Sequence, residues 1–164
     1  MIAETGYVWG IDVAISKLAV GFADLEVPSI DLTTVHTSTN LKDGARLAWL
    51  KERYCEHFLV LGLRYPPYVI WVEEPIGRFP KPQLLYVAGI AQAVLYEMFG
   101  CPVWAIPTSK WKQESVGKGN ANKEAVMKWV EAQQGSLPAS QDEADAYAIS
   151  YAGRRLVMAE RWTA

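Results

Sequence analysis

From Tyr68 to Val72 the chain is continuously apolar, short, and rich in β-branched and aromatic residues. Successive side chains of a strand point to opposite faces, so a strand of this composition requires apolar cover on both. That is the environment of a central strand in a parallel sheet, with helices packed above and below, and it points to an α/β fold. The run leads directly into Glu73-Glu74-Pro75. Two acids therefore stand at the carboxyl end of a buried strand, where open α/β sheets bind their ligands.

A second buried strand holds an acid within it. Val8, Trp9, Gly10, Ile11, Val13 and Ala14 read as one strand of a hairpin, Lys17 to Phe22 as its partner, and Asp12 lies inside the first. An unpaired carboxylate among such neighbours costs roughly several kcal/mol, so it needs a cation, a proton or a ring of donors. The simpler alternative is that Asp12 ends the strand and caps the turn at Ala14 to Ser16. Ser29 to Thr37 alternates as a third strand, which completes a meander. Thr39 or Asn40 is positioned to cap a helix carrying Leu47, Leu50, Tyr54, Phe58 and Leu61, which Pro66-Pro67 ends.

Beyond Glu73, the segment Ile76 to Pro82 is a stiff basic loop bearing Arg78, Phe79 and Lys81. A helix follows from about Gln83 to Phe99 and is apolar nearly all round. Such a helix is buried on two sides, either wholly inside its own protein or against a second copy in a homodimer. Val103 to Ile106 makes a fifth strand, and Pro107-Thr108-Ser109 opens a short helix with Lys110, Trp111 and Lys112. Val116 to Asn122 is a glycine-rich loop, and helices run from Lys123 to about Gln134 and from Gln141 to about Arg161. The 164 residues, 51% of them hydrophobic, suit one domain spanning 1–164.

The last helix opens with Ser140-Gln141-Asp142-Glu143, a capping box in which Ser140 and Glu143 are structural. Asp142 suits the positive end of the helix dipole. Asp145 shares the sheet-facing side with Ala148, Ile149 and Ala152, and lies one turn from Asp142, so both carboxylates can reach one spot. Asp12, Glu73, and Asp142 with Asp145 thus make four carboxylates on three elements of one small domain. Hard oxygen ligands with few histidines match Mg²⁺, with Mn²⁺ as a substitute, rather than Zn²⁺. Two such ions, about 4 Å apart, can activate a water and stabilise the leaving oxygen in phosphodiester cleavage. His36 and His57 are isolated in sequence and are not read as ligands.

The net charge of −2 does not announce a nucleic-acid binder. Between residues 78 and 128, however, Arg78, Lys81, Lys110, Lys112, Lys118, Lys123 and Lys128 face only Glu97, Glu114 and Glu124. A basic stretch beside an acidic metal site is what a backbone-reading DNA enzyme needs. Cys55 and Cys101 lie far apart and read as two buried free thiols of a reducing compartment. With no leader before Tyr7 and no apolar stretch long enough to span a bilayer, the expected location is cytoplasmic, with no membrane partner.

The ordered set Gly10-Ile11-Asp12 with its hairpin to Gly21, Val72-Glu73-Glu74, Ala105 to Lys112 followed by Val116-Gly117-Lys118-Gly119, Lys123, and Asp142-Glu143-Ala144-Asp145-Ala146-Tyr147-Ala148 resembles the RuvC family of Holliday-junction resolvases, within the ribonuclease H-like superfamily. The resemblance covers nearly the whole chain. It implies a mixed five-stranded sheet, an antiparallel meander followed by two parallel strands, flanked by helices. It also implies a homodimer that makes paired Mg²⁺-dependent nicks across four-way DNA junctions. On this resemblance Asp12, Glu73, Asp142 and Asp145 match the family's metal-binding acids, and Lys112 and Lys123 match lysines beside the scissile phosphate or junction backbone. Phe79 takes the place of an aromatic wedge at the junction centre, while Glu74 falls where many members are neutral and is left out of the set. Val13-Ala14 replaces a common Pro-Gly, which looks more like phage or divergent members, in a bacterial or phage-infected cell. Rival readings are a general branched-DNA or flap endonuclease of the same fold, and a module that binds junctions without cutting them.

Overall fold

The computed structural model describes residues 6–26, 30–37, 39–75 and 81–159, so Arg78 and Phe79 lie outside the described residues. The elements run β1 (Tyr7–Val13), β2 (Lys17–Asp24), β3 (Ile30–His36), α1 (Asp43–Arg64), β4 (Pro67–Glu73), α2 (Pro82–Phe99), β5 (Val103–Ile106), α3 (Thr108–Ser115), α4 (Lys123–Gln134) and α5 (Gln141–Met158). The strands form one five-stranded sheet in the order β3-β2-β1-β4-β5. β1, β2 and β3 are an antiparallel meander, and β4 pairs in parallel with both β1 and β5. This is the expected mixed α/β sheet, with β4 in the interior of its parallel half.

Strand alternation sorts the core into two layers. On β1 and β4, Trp9, Ile11, Ile70 and Val72 point to one face, where α1 and α2 cover them with Leu50, Tyr54, Phe58, Val87, Ala91 and Leu95. Val8, Val69 and Trp71 point to the other, beneath Trp111, Val126, Val130 and the α5 residues Tyr147, Ile149 and Ala152. Both faces of β4 are therefore apolar, as its composition requires. Helix α5 lies directly against the paired glycines Gly10 and Gly21. A Cβ on Gly10 would stand 2.2 Å from the Ser150 nitrogen, and one on Gly21 2.6 Å from the Ala146 carbonyl oxygen, so the helix backbone rests directly on the sheet there.

One boundary and two burial patterns differ from what the sequence predicts. α1 begins at Asp43, after Lys42 rather than Thr39 or Asn40, and Asp43 takes a left-handed φ of 49°. Thr39 instead accepts a hydrogen bond from the Leu41 backbone in a local turn. Cys55 and Cys101 are free thiols but only half-buried, against the α1 and α2 side of the core, and burial pushes the Cys101 thiol up to about 11. α2 buries Val87, Ala88, Ala91, Val94 and Leu95 but leaves Leu85, Tyr86 and Tyr96 exposed. Among the described residues no helix is long and apolar enough to cross a membrane.

Candidate active site

In the parallel pairing of β1 with β4, Ile11 lies beside Val72. The next residue on each strand, Asp12 and Glu73, therefore emerges side by side at the carboxyl ends. By parity with Val8 and Trp71 both carboxylates point to the α5 face. α5 runs opposite to β1: Ala146 and Ser150 lie over Gly10, so the first turns of the helix lie over the Asp12 end. The Gly10–Gly21 contact thus delivers Asp142 and Asp145 to the two strand acids. The Ser140 hydroxyl fixes the start of α5 by accepting the Glu143 N–H at 3.2 Å. Glu143 reaches back to the Ala139 N–H and also accepts the Thr34 hydroxyl, which is the structural role its place in the capping box implies.

The four acids act on one another. Asp12 is 8% exposed. Burial first, then the charges of Glu73 and Asp145, a hydrogen bond shared with Glu73, and the charge of Asp142 push its carboxyl up to about 9. Burial likewise raises Asp145 to about 6, with Glu73 and Asp142 adding to the shift while the Gln141 amide and Lys112 oppose it. Asp12 does not cap the turn after β1, which is closed by backbone through the Ala14 N–H and the Lys17 carbonyl at 2.9 Å.

Each acid is turned to a protein partner. Glu73 Oε1 accepts from the Thr108 hydroxyl at 2.8 Å and the Trp111 indole N–H at 2.9 Å. Lys17 reaches from β2 to Asp142 at 2.5 Å, and the Gln141 amide donates to Asp145 at 2.7 Å. As these side chains stand, no three His, Cys, Asp or Glu among the described residues are arranged to grip an ion together. The donor set nevertheless fits a hard divalent cation. It is all carboxylate, and the burial and mutual repulsion that raise Asp12 and Asp145 are what a cation would relieve. Lys17, Thr108, Trp111 and Gln141 are site partners that sequence reading passed over. Only Gln141, one turn before Asp145, left a local signal.

The basic residues divide by position. Lys112 lies close enough to lower Asp145, donates to the Ala121 carbonyl at 2.8 Å and stands 5.4 Å from the Trp111 ring centroid. Lys118 and Lys123 are exposed, on the loop before α4 and at its first residue, and Lys81 is exposed just before α2. Lys110 is paired to Glu114 at 2.9 Å along its own helix. Glu74 is exposed, and its backbone N–H bonds the Ile106 carbonyl. His57 bonds the Arg53 carbonyl of its own helix, and His36 is exposed on β3.

No protein-family model matches the sequence, and no curated protein matches it. Among solved structures the chain is similar to Thermus thermophilus RuvC, at 24% identity over 92% of this chain and 94% of that one, with a TM-score of 0.70. It is also similar to T. thermophilus RuvC in complex with Holliday junction substrate, at 28% identity over 90% of this chain and 92% of that one, with a TM-score of 0.69. The yeast mitochondrial Holliday junction resolvase Ydc2 matches at 17% identity over 94% of this chain and 80% of that one, with a TM-score of 0.58. The chain has the RuvC-type, ribonuclease H-like fold.

Proposed function

We propose that this protein is a structure-selective DNA endonuclease that resolves four-way junctions by metal-dependent phosphodiester hydrolysis, working as a homodimer. The observation that carries the reading is the meeting of Asp12, Glu73, Asp142 and Asp145 at the carboxyl end of the sheet. The fold shared with RuvC supports it, including the 28%-identical RuvC solved in complex with Holliday junction substrate. Those four acids would hold Mg²⁺, or Mn²⁺ in its place. Bound there as a pair, such ions would supply an activated water and would neutralise charge on the cleaved phosphate.

The chain's own residues supply the rest. Asp12 and Glu73 come from adjacent strands of a rigid sheet, so their spacing is set by backbone pairing rather than by loops. Lys112, fixed to the Ala121 carbonyl and backed by Trp111, offers its ammonium to a phosphate next to the acids. Lys118 and Lys123 extend the basic surface outward for the DNA backbone. The homodimer is favoured by the outer face of α2, where Tyr86, Gly89, Ala93 and Tyr96 are exposed at helix–helix spacing.

The test is cleavage of end-labelled four-way junction, flap, duplex and single-stranded DNA with Mg²⁺, Mn²⁺ or EDTA. Symmetric metal-dependent nicks confined to the junction are expected. Equal cutting of flaps and junctions would replace the resolvase reading with a general branched-DNA nuclease, and tight binding without cutting would leave a binding module. Asp145→Asn removes charge but keeps shape and the junction surface. It should lower cutting by more than about 100-fold while junction binding persists, since even outer partners of metal ligands are worth about 10- to 100-fold. Cleavage retained in that variant would take Asp145 out of the site.

A further inference from the structure

Two side chains of one helix hold Glu73 by a single oxygen. The Thr108 hydroxyl and the Trp111 indole N–H both donate to Oε1. They lie three residues apart on α3, the spacing that puts two side chains on one helix face. Trp111 is wholly buried, and an indole offers one donor and no acceptor, so its ring cannot turn without abandoning the carboxylate. α3 is itself tied down at its far end. Lys112 bonds the Ala121 carbonyl, and Arg155 of α5 bonds the Glu114 carbonyl. The clamp on Glu73 is therefore anchored both to the loop before α4 and to the helix that carries Asp142 and Asp145.

We infer that Trp111 and Thr108 are positioning residues that lock one oxygen of Glu73 and leave the other, Oε2, as the one offered to a divalent cation shared with Asp12. This rests on the metal-centre reading above and deepens it. The contrasting role is purely structural: Trp111 fills the core beside Ile106, Val126 and Tyr147, and Glu73 merely satisfies its N–H. The two roles differ in what losing the donors does. Removing a positioning pair weakens cation binding, because the carboxylate it holds is the ligand, whereas removing a filler's hydrogen bond leaves the affinity unchanged.

The experiment uses the full chain without DNA, and Ca²⁺ and Mg²⁺ as probes. Thr108→Val and Trp111→Phe each remove a donor and keep most of the bulk. Calorimetric titration should give cation affinity about 10- to 100-fold weaker in the double variant and measurably weaker in Thr108→Val alone. Thr108 lies outside the buried clusters, so that single variant carries the test even where Trp111→Phe disturbs packing, and its melting temperature without metal should stay unchanged. In the wild type, the Trp111 indole ¹H–¹⁵N cross-peak, assigned by its loss in Trp111→Phe, should shift on adding Ca²⁺. Wild-type affinity in Thr108→Val together with an indole peak that ignores Ca²⁺ would overturn the positioning role and leave the metal centre standing. A wild-type protein that binds neither ion would overturn both.

Discussion

At neutral pH, with no cation near, Asp12 is a protonated acid in the middle of a sheet. Its folded-state carboxyl is raised to about 9 by burial and by Glu73, Asp145 and Asp142, against about 3.9 in an unfolded chain. The folded state therefore holds this proton more tightly than the unfolded state. The associated stability is complete below about pH 4 and is lost as pH rises towards 9. Asp145, raised to about 6, adds to the loss at the acidic end of that window. In EDTA the melting temperature should fall as pH is raised from about 5 to 9. The gain from added Mg²⁺ should grow over the same range, because a cation favours the ionised forms. Asp12→Asn should flatten the EDTA profile and raise its alkaline end; a wild-type melting temperature that is flat or rising with pH in EDTA would contradict the buried-acid account. Asp12 and Asp145 stand out in the sequence because a buried strand and the inner face of a helix are local patterns, whereas preferring Glu73 to Glu74 took the family resemblance. The partners of these acids do not stand out: Lys17 reaches Asp142, and Trp111 reaches Glu73, only through packing between elements distant in the chain.

Between elements, the contact that sets the site is helix backbone on sheet backbone. Gly10 and Gly21 face each other across β1 and β2, and α5 fills the space their missing side chains leave. Gly10→Ala would thrust a methyl into the Ser150 nitrogen and the Ala146 carbonyl, which are backbone atoms with no rotamer to change. Overpacking of this kind costs about 1–3 kcal/mol, occasionally more. Urea unfolding should show that loss, and cation affinity should fall with it, because Asp142 and Asp145 are carried on the displaced helix. Undiminished stability and affinity would mean that α5 does not set the acid spacing. The hairpin, β4 and the capping box of α5 were legible because composition and periodicity dictate them. The start of α1 was not. Thr39, Asn40 and Asp43 all have cap-competent side chains, but Thr39 closes a turn with Leu41 and Asp43 takes a left-handed φ at the helix start.

For the molecule as a whole, averages hide two features that a local reading of the sequence brings out. A net charge of −2 masks the excess of basic residues between positions 78 and 128. An all-apolar α2 reads either as wholly internal or as packed against a second copy until its packing is known. In the structure its inner side is core, while Tyr86 and Tyr96 are 57% and 63% exposed and flank the small exposed residues Gly89 and Ala93. The steps of three, four and three residues put these positions on one stripe, and small residues in the middle allow a second helix to approach closely. Paired nicks on opposite strands of a junction need two sites in fixed relation, which a two-fold dimer through this stripe would supply. Ala93→Glu tests it cleanly, since an exposed position on a helix tolerates glutamate in the monomer but a closed helix–helix seam does not. Light scattering at micromolar concentration should give twice the chain mass for the wild type and the single-chain mass for the variant. Cation affinity should be unchanged, and junctions should be cut once rather than in coordinated pairs. A wild-type protein that is already monomeric, or an Ala93→Glu protein that stays dimeric, would move the second site off α2.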